Sequence, residues 1–347
     1  MTDAYAKAGV DIQRSDDAVG SLVGVLKGIS LDQPSRSVVP SGHYASVLRV
    51  APNLGIALCT DGVGSKLVVA EQADRLETVG IDCIAMNVND LVCVGAEPIA
   101  MVDYLAVEVP DGERLARIAQ GLRDGAEQAN IEIPGGELAV LPEVIRGHPS
   151  PGGFDLCGTA IGTVAIDEII LGDRIRPGQA IVGVPSNGLH SNGYTLARRA
   201  LLEDGGLGLD DTPDGLGETV ADALLEPTAI YVRAALDLIR SDIPVTGLAH
   251  ITGGGVLNLP RLNTEVGYAI DEPLPVLPVF EAVQRLGGVD EREMWEVFNM
   301  GCGFIAVVPE DRADDAVAVL AAHHPGTRRV GTITDAAGVV TVRDLRF

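Results

Sequence analysis

The chain has 347 residues, 46% of them hydrophobic, with 49 acids against 25 bases and a formal charge of −24. That length predicts two domains with ample core. The acidity opposes a nucleic-acid partner, and a single tryptophan with five phenylalanines provides no aromatic stacking platform.

The opening stretch MTDAYAKAGVDI is polar and lacks the pattern of a secretion signal, and no apolar run approaches the ~20 residues that span a bilayer, so a cytoplasmic location without a membrane partner is expected. Five cysteines without a Cys-x-x-Cys pair predict free thiols in a reducing compartment.

In ALCTDGVGSKL (57–67) an apolar strand ends at Thr60-Asp61, followed by Gly62, Gly64, Ser65 and Lys66. A phosphate loop of the Walker type needs its lysine directly after the last glycine, and Ser65 intervenes here. What remains is Asp61 at a strand end, placed to ligate a hard cation such as Mg2+. The plainer alternative is a cap or a solvated turn acid. In GIDCIAMNVNDLVCVGAEP (80–98), Asn87, Asn89 and Asp90 interrupt an apolar run, and three such groups together call for partners. Gly95 and Pro98 then supply a helix stop.

Leu115, Ile118, Ala119, Leu122, Ala126 and Ala129 form one stripe, predicting a helix over 114–130 packed on one face. IEIPGGELAVLP predicts a short strand meeting a Gly-Gly turn, with Glu137 directly after it. Residues 153–166 read as a buried strand and 166–178 as a connecting segment that marks the domain boundary. QAIVGVPSNG (179–188) is a strand entering a polar loop, where His190, Ser191, Asn192 and Gly193 precede a helix from Tyr194. Amides at such a helix start attract anions. Residues 206–218 read as an exposed excursion. His250 and Thr252 precede Gly253, Gly254 and Gly255, whose backbone N–H groups suit an oxyanion; a bare hinge is the alternative. Residues 303–323 read as strand, turn and amphipathic helix. Strands alternating with helices predict an α/β or α+β architecture. Three acids, two glycine-rich anion sites and two histidines together suit Mg2+-dependent chemistry on a nucleoside triphosphate.

The motifs AGVDI (8–12), TDGVGSKL (60–67), GIDCIAMNVNDL (80–91), Asp90-x4-Gly95-Ala96-x-Pro98, GGE (135–137), HSNGY (190–194), HITGGG (250–255) and FNMGCG (298–303) occur in the order found in the phosphoribosylformylglycinamidine cyclo-ligase family, the AIR synthetases. The chain resembles that family from about residue 5 to 333. The resemblance implies ATP-dependent closure of formylglycinamidine ribonucleotide to 5-aminoimidazole ribonucleotide (AIR), with release of ADP and phosphate. It implies two α/β domains, drawn here at 1–166 and 167–347, and a homodimer whose N-terminal sheets join as a barrel with ATP near the junction. Carried over by position, Asp61, Asp90 and Glu137 would hold Mg2+. Thr60, Gly62, Lys66, Asn89 and Asn192 would join those acids around ATP, Lys66 only as a secondary phosphate contact. Lys27 matches a family lysine near ATP, and His190 and His250 become candidates for proton transfer. Asp103, Ser191, Thr252 and Gly253 to Gly255 would contact the substrate.

The chain departs from the family pattern at SGHYAS (41–46), at Val140 where a second acid is usual, and at Cys302, read here as core. Selenophosphate synthetase would need a cysteine before Cys59, and the hydrogenase-maturation relative a C-terminal cysteine. Thiamine-phosphate kinase and a catalytically dead nucleotide-binding homologue are the remaining rivals.

Overall fold

The computed structural model describes residues 4–10 and 12–347; Asp11 of the AGVDI motif lies outside them. A one-turn helix, α1 (Ala4–Lys7), and a longer one, α2 (Ile12–Leu26), precede a five-stranded sheet. That sheet and its helices follow in the order β1 (Ser46–Ala51), β2 (Leu54–Gly62), α3 (Lys66–Gln72), α4 (Val79–Cys93), β3 (Glu97–Val107), α5 (Gly112–Ala129), β4 (Glu132–Val140) and β5 (Phe154–Val164). The strands lie in the order β1-β2-β5-β3-β4, antiparallel except for the parallel pair β3–β4.

The remaining elements are β6 (Ala180–Pro185), α6 (Tyr194–Arg198), α7 (Val220–Leu225), α8 (Val232–Arg240), β7 (Gly247–His250), β8 (Gly267–Ile270), α9 (Pro278–Gly287), α10 (Glu291–Val297), β9 (Cys302–Val308), α11 (Ala313–Ala321), β10 (Arg328–Thr334), β11 (Val340–Val342) and β12 (Leu345–Arg346). They build a seven-stranded sheet in the order β12-β11-β8-β10-β6-β9-β7, flanked by helices. The molecule is thus a two-domain α/β fold with one sheet in each half. Among the described residues no helix is long and apolar enough to cross a membrane.

α5 begins where Asp111 accepts the N–H groups of Glu113 and Arg114 at 2.9 and 3.1 Å, and it ends at Asn130 in the left-handed conformation, φ 58°. It crosses α4 with no side chain between the two backbones. A Cβ at Gly80 would stand 2.1 Å from the Leu122 nitrogen, and one at Gly121 equally close to the Glu77 oxygen. α4 in turn packs on β2, β3 and β5 and reaches strand β7 and helix α8 of the second half, so it is shared by both halves.

β5 alternates. Phe154, Leu156, Gly158, Ala160, Gly162 and Val164 face α4, while Asp155, Thr159 and Ile161 face outward. The buried strand expected over 153–166 is thus present, buried on one face only. The outward face leaves Leu48, Val50, Val102, Tyr104 and Ile161 exposed, an apolar surface drawn from three strands, β1, β3 and β5. The Gly-Gly turn expected before Glu137 is also absent, and β4 runs straight through Gly135-Gly136. Gly136 makes room for a neighbour, since a Cβ there would meet Asp103 Oδ1 at 2.2 Å, whereas one at Gly135 would meet nothing. All five cysteines are free thiols. Cys302 is partly buried and packs against the core.

Candidate active site

β2 ends by delivering Asp61 to the domain junction, and α4 delivers Asp90 from the other side. Asp61 Oδ1 accepts its neighbour's Gly62 N–H at 2.8 Å, and Asn87 donates to the Asp61 carbonyl at 3.1 Å. Burial, and then the adjacent Asp90 charge, push the Asp61 carboxyl up to about 6. Two neighbouring carboxylates, one already strained by desolvation, form a donor set suited to a hard divalent cation. Behind them sits His250, fully buried, with Nδ1 2.9 Å from Asp90 Oδ1 and Nε2 3.4 Å from Asn89 Nδ2.

The second wall is the loop from 187 to 193. His190 is buried and adopts φ 64°. Its Nε2 lies 3.1 Å from Asn187 Oδ1, while Nδ1 is buried without a hydrogen-bond partner among the described residues. Asn187 spends its amide N–H groups on Glu226 and Pro227, so its oxygen accepts and His190 carries its proton on Nε2. Burial holds this imidazole well below the ordinary histidine range, keeping it neutral. Ser191 Oγ is 3.2 Å from Thr228 Oγ1.

The third wall is the glycine loop. Asn258 holds it, accepting from the Thr252 N–H and hydroxyl at 3.0 Å each and donating to the Gly253 carbonyl at 3.0 Å. Gly253 is exposed and lies against Asn192, whose Oδ1 a Cβ there would approach to 3.0 Å. So Asp61, Asp90, His190, Asn192, Thr252 and Gly253 are gathered by two domains around one junction.

Other expected residues are placed differently. Lys66 is fully buried, and its three ammonium protons meet Asp82, the His190 carbonyl and the Glu226 carbonyl at 2.9, 3.1 and 2.6 Å, so none is left for a phosphate. Asn89 is likewise consumed: it accepts the Tyr231 N–H at 2.8 Å and donates to Ala229 at 2.9 Å. Gly255 is a packing position, since a Cβ there would stand 2.0 Å from the Trp295 carbonyl oxygen. Thr60 faces the outer side of the sheet, its hydroxyl donating to Gly158 at 2.8 Å.

The expected triple of Asp61, Asp90 and Glu137 does not assemble within the chain. Among the described residues no group of three His, Cys, Asp or Glu is arranged to hold a metal. Strand register explains why: Asp61 pairs with Gly158, which pairs with Asp103, which pairs with Gly136. Asp103 is therefore two strands from Asp61, roughly 10 Å, and Glu137 lies one strand further. Burial pushes Asp103 upward. Lys27 follows α2 in an exposed stretch, and its ammonium has no hydrogen-bond or ion-pair partner among the described residues.

Sequence reasoning missed Asp82, Asn187, Thr228 and Asn258, which have no local signature, and it assigned nothing to His43. Arg261 lies over the Tyr44 ring at 4.3 Å and donates to the Gly42 and His43 carbonyls, pinning loop 41–46 to the second domain. Burial, then the Arg261 charge, lower His43 to about 4.

Models of the N-terminal and C-terminal domains of AIR synthase related proteins match residues 42–164 and 176–343. The phosphoribosylformylglycinamidine cyclo-ligase of Methanothermobacter thermautotrophicus is 46% identical over 332 residues, covering 95% of this chain and 94% of the relative. That of Thermococcus kodakarensis is 47% identical over 325 residues, 92% of each chain. Among solved structures, AaThiL complexed with AMPPCP and TMP covers 94% of this chain and 92% of its own, with a TM-score of 0.62 and 15% identity. HypE in complex with ATP covers 90% and 87%, with a TM-score of 0.57 and 21% identity. At those identities the two structures attest to the fold alone.

Proposed function

The chain belongs to the phosphoribosylformylglycinamidine cyclo-ligase family, and from that premise we propose how its residues divide the reaction. The enzyme is a ligase of purine biosynthesis that uses ATP to close formylglycinamidine ribonucleotide to AIR, releasing ADP and phosphate. The formyl oxygen takes up the phosphoryl group, the amidine nitrogen attacks the activated carbon, and phosphate departs with that oxygen.

The observation that carries the assignment is the Asp61–Asp90 pair beside the His190 loop. These two carboxylates would hold Mg2+, which when bound neutralises charge on the phosphates. Lys27 is assigned to ATP from the family resemblance. Asn192 and the backbone of Gly253 and Gly254 bind anionic groups at the junction, the ribose phosphate of the substrate among them. Ring closure releases a proton from the attacking nitrogen, and neutral His190, with a free lone pair on Nδ1, is the base in this reading. His250 has both ring nitrogens engaged, so its part is to orient Asp90.

The same reading makes the protein a cytoplasmic homodimer with domains at 1–166 and 167–347. The exposed apolar face of the five-stranded sheet supports it, because two such faces packed together would close a barrel and bury it. Glu137, level with the outward-facing Tyr104, then reaches the nucleotide through the dimer, while Asp103 on the other face is left to the substrate. The charge of −24 keeps nucleic acid away and leaves the small-molecule substrate to be held locally.

The test is direct. Purified protein is mixed with formylglycinamidine ribonucleotide, ATP and Mg2+, and AIR is detected by diazo coupling of its aromatic amine. Substrate-dependent AIR with matching ADP is expected. Folded, ATP-binding protein that makes no AIR would refute the assignment, and thiamine phosphate would be tried next.

A further inference from the structure

Lys66 opens α3 in the first domain, yet its ammonium lies under the histidine loop of the second. It bonds Asp82 Oδ1 at 2.9 Å and the carbonyls of His190 and Glu226 at 3.1 and 2.6 Å. Asp82 Oδ1 also accepts the Thr228 N–H at 2.7 Å and its hydroxyl at 2.6 Å. Both charged side chains are wholly buried.

Most of these bonds serve the second domain rather than the pair. Asp82 Oδ2 has no hydrogen-bond partner among the described residues, so the pair is not arranged to satisfy itself. Its other contacts converge on His190. The ammonium holds the carbonyl of a residue whose φ of 64° disfavours any side chain with a β-carbon. Thr228, fixed by Asp82, reaches Ser191 at 3.2 Å, and segment 226–227 fixes Asn187, which bonds the imidazole at 3.1 Å.

We propose that Lys66 and Asp82 are positioning residues, a buried pair carried by the first domain that sets the orientation of His190 for ring closure. This rests on the reading of His190 as a group acting in the reaction. Lys66 thus acts in turnover through the loop and not through a phosphate.

The test is the double substitution Lys66→Met with Asp82→Asn, which removes both charges and keeps an oxygen for Thr228. Neutralising a buried pair together is often tolerated. The variant is expected to melt close to the wild type. Its kcat is expected to fall at least about tenfold, because small displacements of a reacting group are costly. Its KM for ATP stays within about threefold, the mark of an interaction outside ground-state binding. Hydrogen exchange at 187–192 should quicken.

Wild-type kcat and unchanged exchange in the double variant would overturn the role while leaving the assigned reaction standing. Wild-type protein that makes no AIR overturns the reaction and the role together. If the double variant does not fold, Thr228→Val is compared with Thr228→Ser. Lower kcat in the valine variant alone supports the proposal, and equal kcat in both overturns it.

Discussion

His250 stands behind Asp90 with its Nδ1 2.9 Å from the carboxylate Oδ1, while Asn89 approaches the far side of the ring at 3.4 Å. A histidine held at both nitrogens orients the acid in front of it. Groups that orient a metal ligand commonly govern metal affinity by about 10–100-fold. His250→Phe is therefore expected to raise the Mg2+ concentration for half-maximal rate at least about tenfold, with much of the rate recovered at saturating Mg2+. A rate that stays low at every Mg2+ concentration would make His250 a proton carrier instead.

Asp61→Asn should abolish turnover and stabilise the metal-free protein. Folding raises the Asp61 carboxyl to about 6 from its ordinary 3.8, so the folded state binds the proton more tightly. Its ionised form costs stability above about pH 6, and that cost fades as pH falls toward the unfolded value. The shift corresponds to at most about 3 kcal/mol. The asparagine variant should melt higher than wild type at pH 8, with the gap closing near pH 4. Near-normal activity would remove Asp61 from the site.

His190→Asn keeps a residue type that tolerates the left-handed backbone at this position. It should lower kcat by about a hundredfold or more while the KM for ATP stays within about threefold. Equal losses in kcat and in ATP affinity, measured by steady-state kinetics and calorimetry, would make His190 a binding residue.

Val102→Asp places a charge in the middle of the exposed apolar face. If that face joins two protomers, a desolvated, unpaired carboxylate should break the dimer. Sedimentation velocity should then show a monomer whose AIR formation is lost. A variant that sediments as a dimer at wild-type rate would place the interface elsewhere.

Asp61 and Asp90 were legible in the sequence because each breaks a strong pattern, a bare acid at the end of an apolar strand and an acid inside an apolar helix. Their partner His250 could be flagged by its glycine neighbours, but its bond to Asp90 spans 160 residues and depends on how two domains dock. Lys66 was misread for a related reason. Beside two glycines and a serine it has the local look of a phosphate ligand, and only the docking of segment 226–228 against α4 reveals that its protons are spent. Gly135-Gly136 resembles a turn because nothing local shows that Asp103 on the next strand needs the space at Gly136.

The contact of α4 with α5 through Gly80 and Gly121 bears on how this protein can evolve. Where two helices touch backbone to backbone, even one added methyl group must push the axes apart. α4 carries Asp82, Asn87, Asn89 and Asp90 on a single rod, so such a push would not be absorbed where it arises. It would move Asp90, the proposed metal ligand, and the Asp82 anchor together. Alanine at Gly121, a change innocuous on most helices, should thus be lethal to catalysis from a position far from the reacting groups.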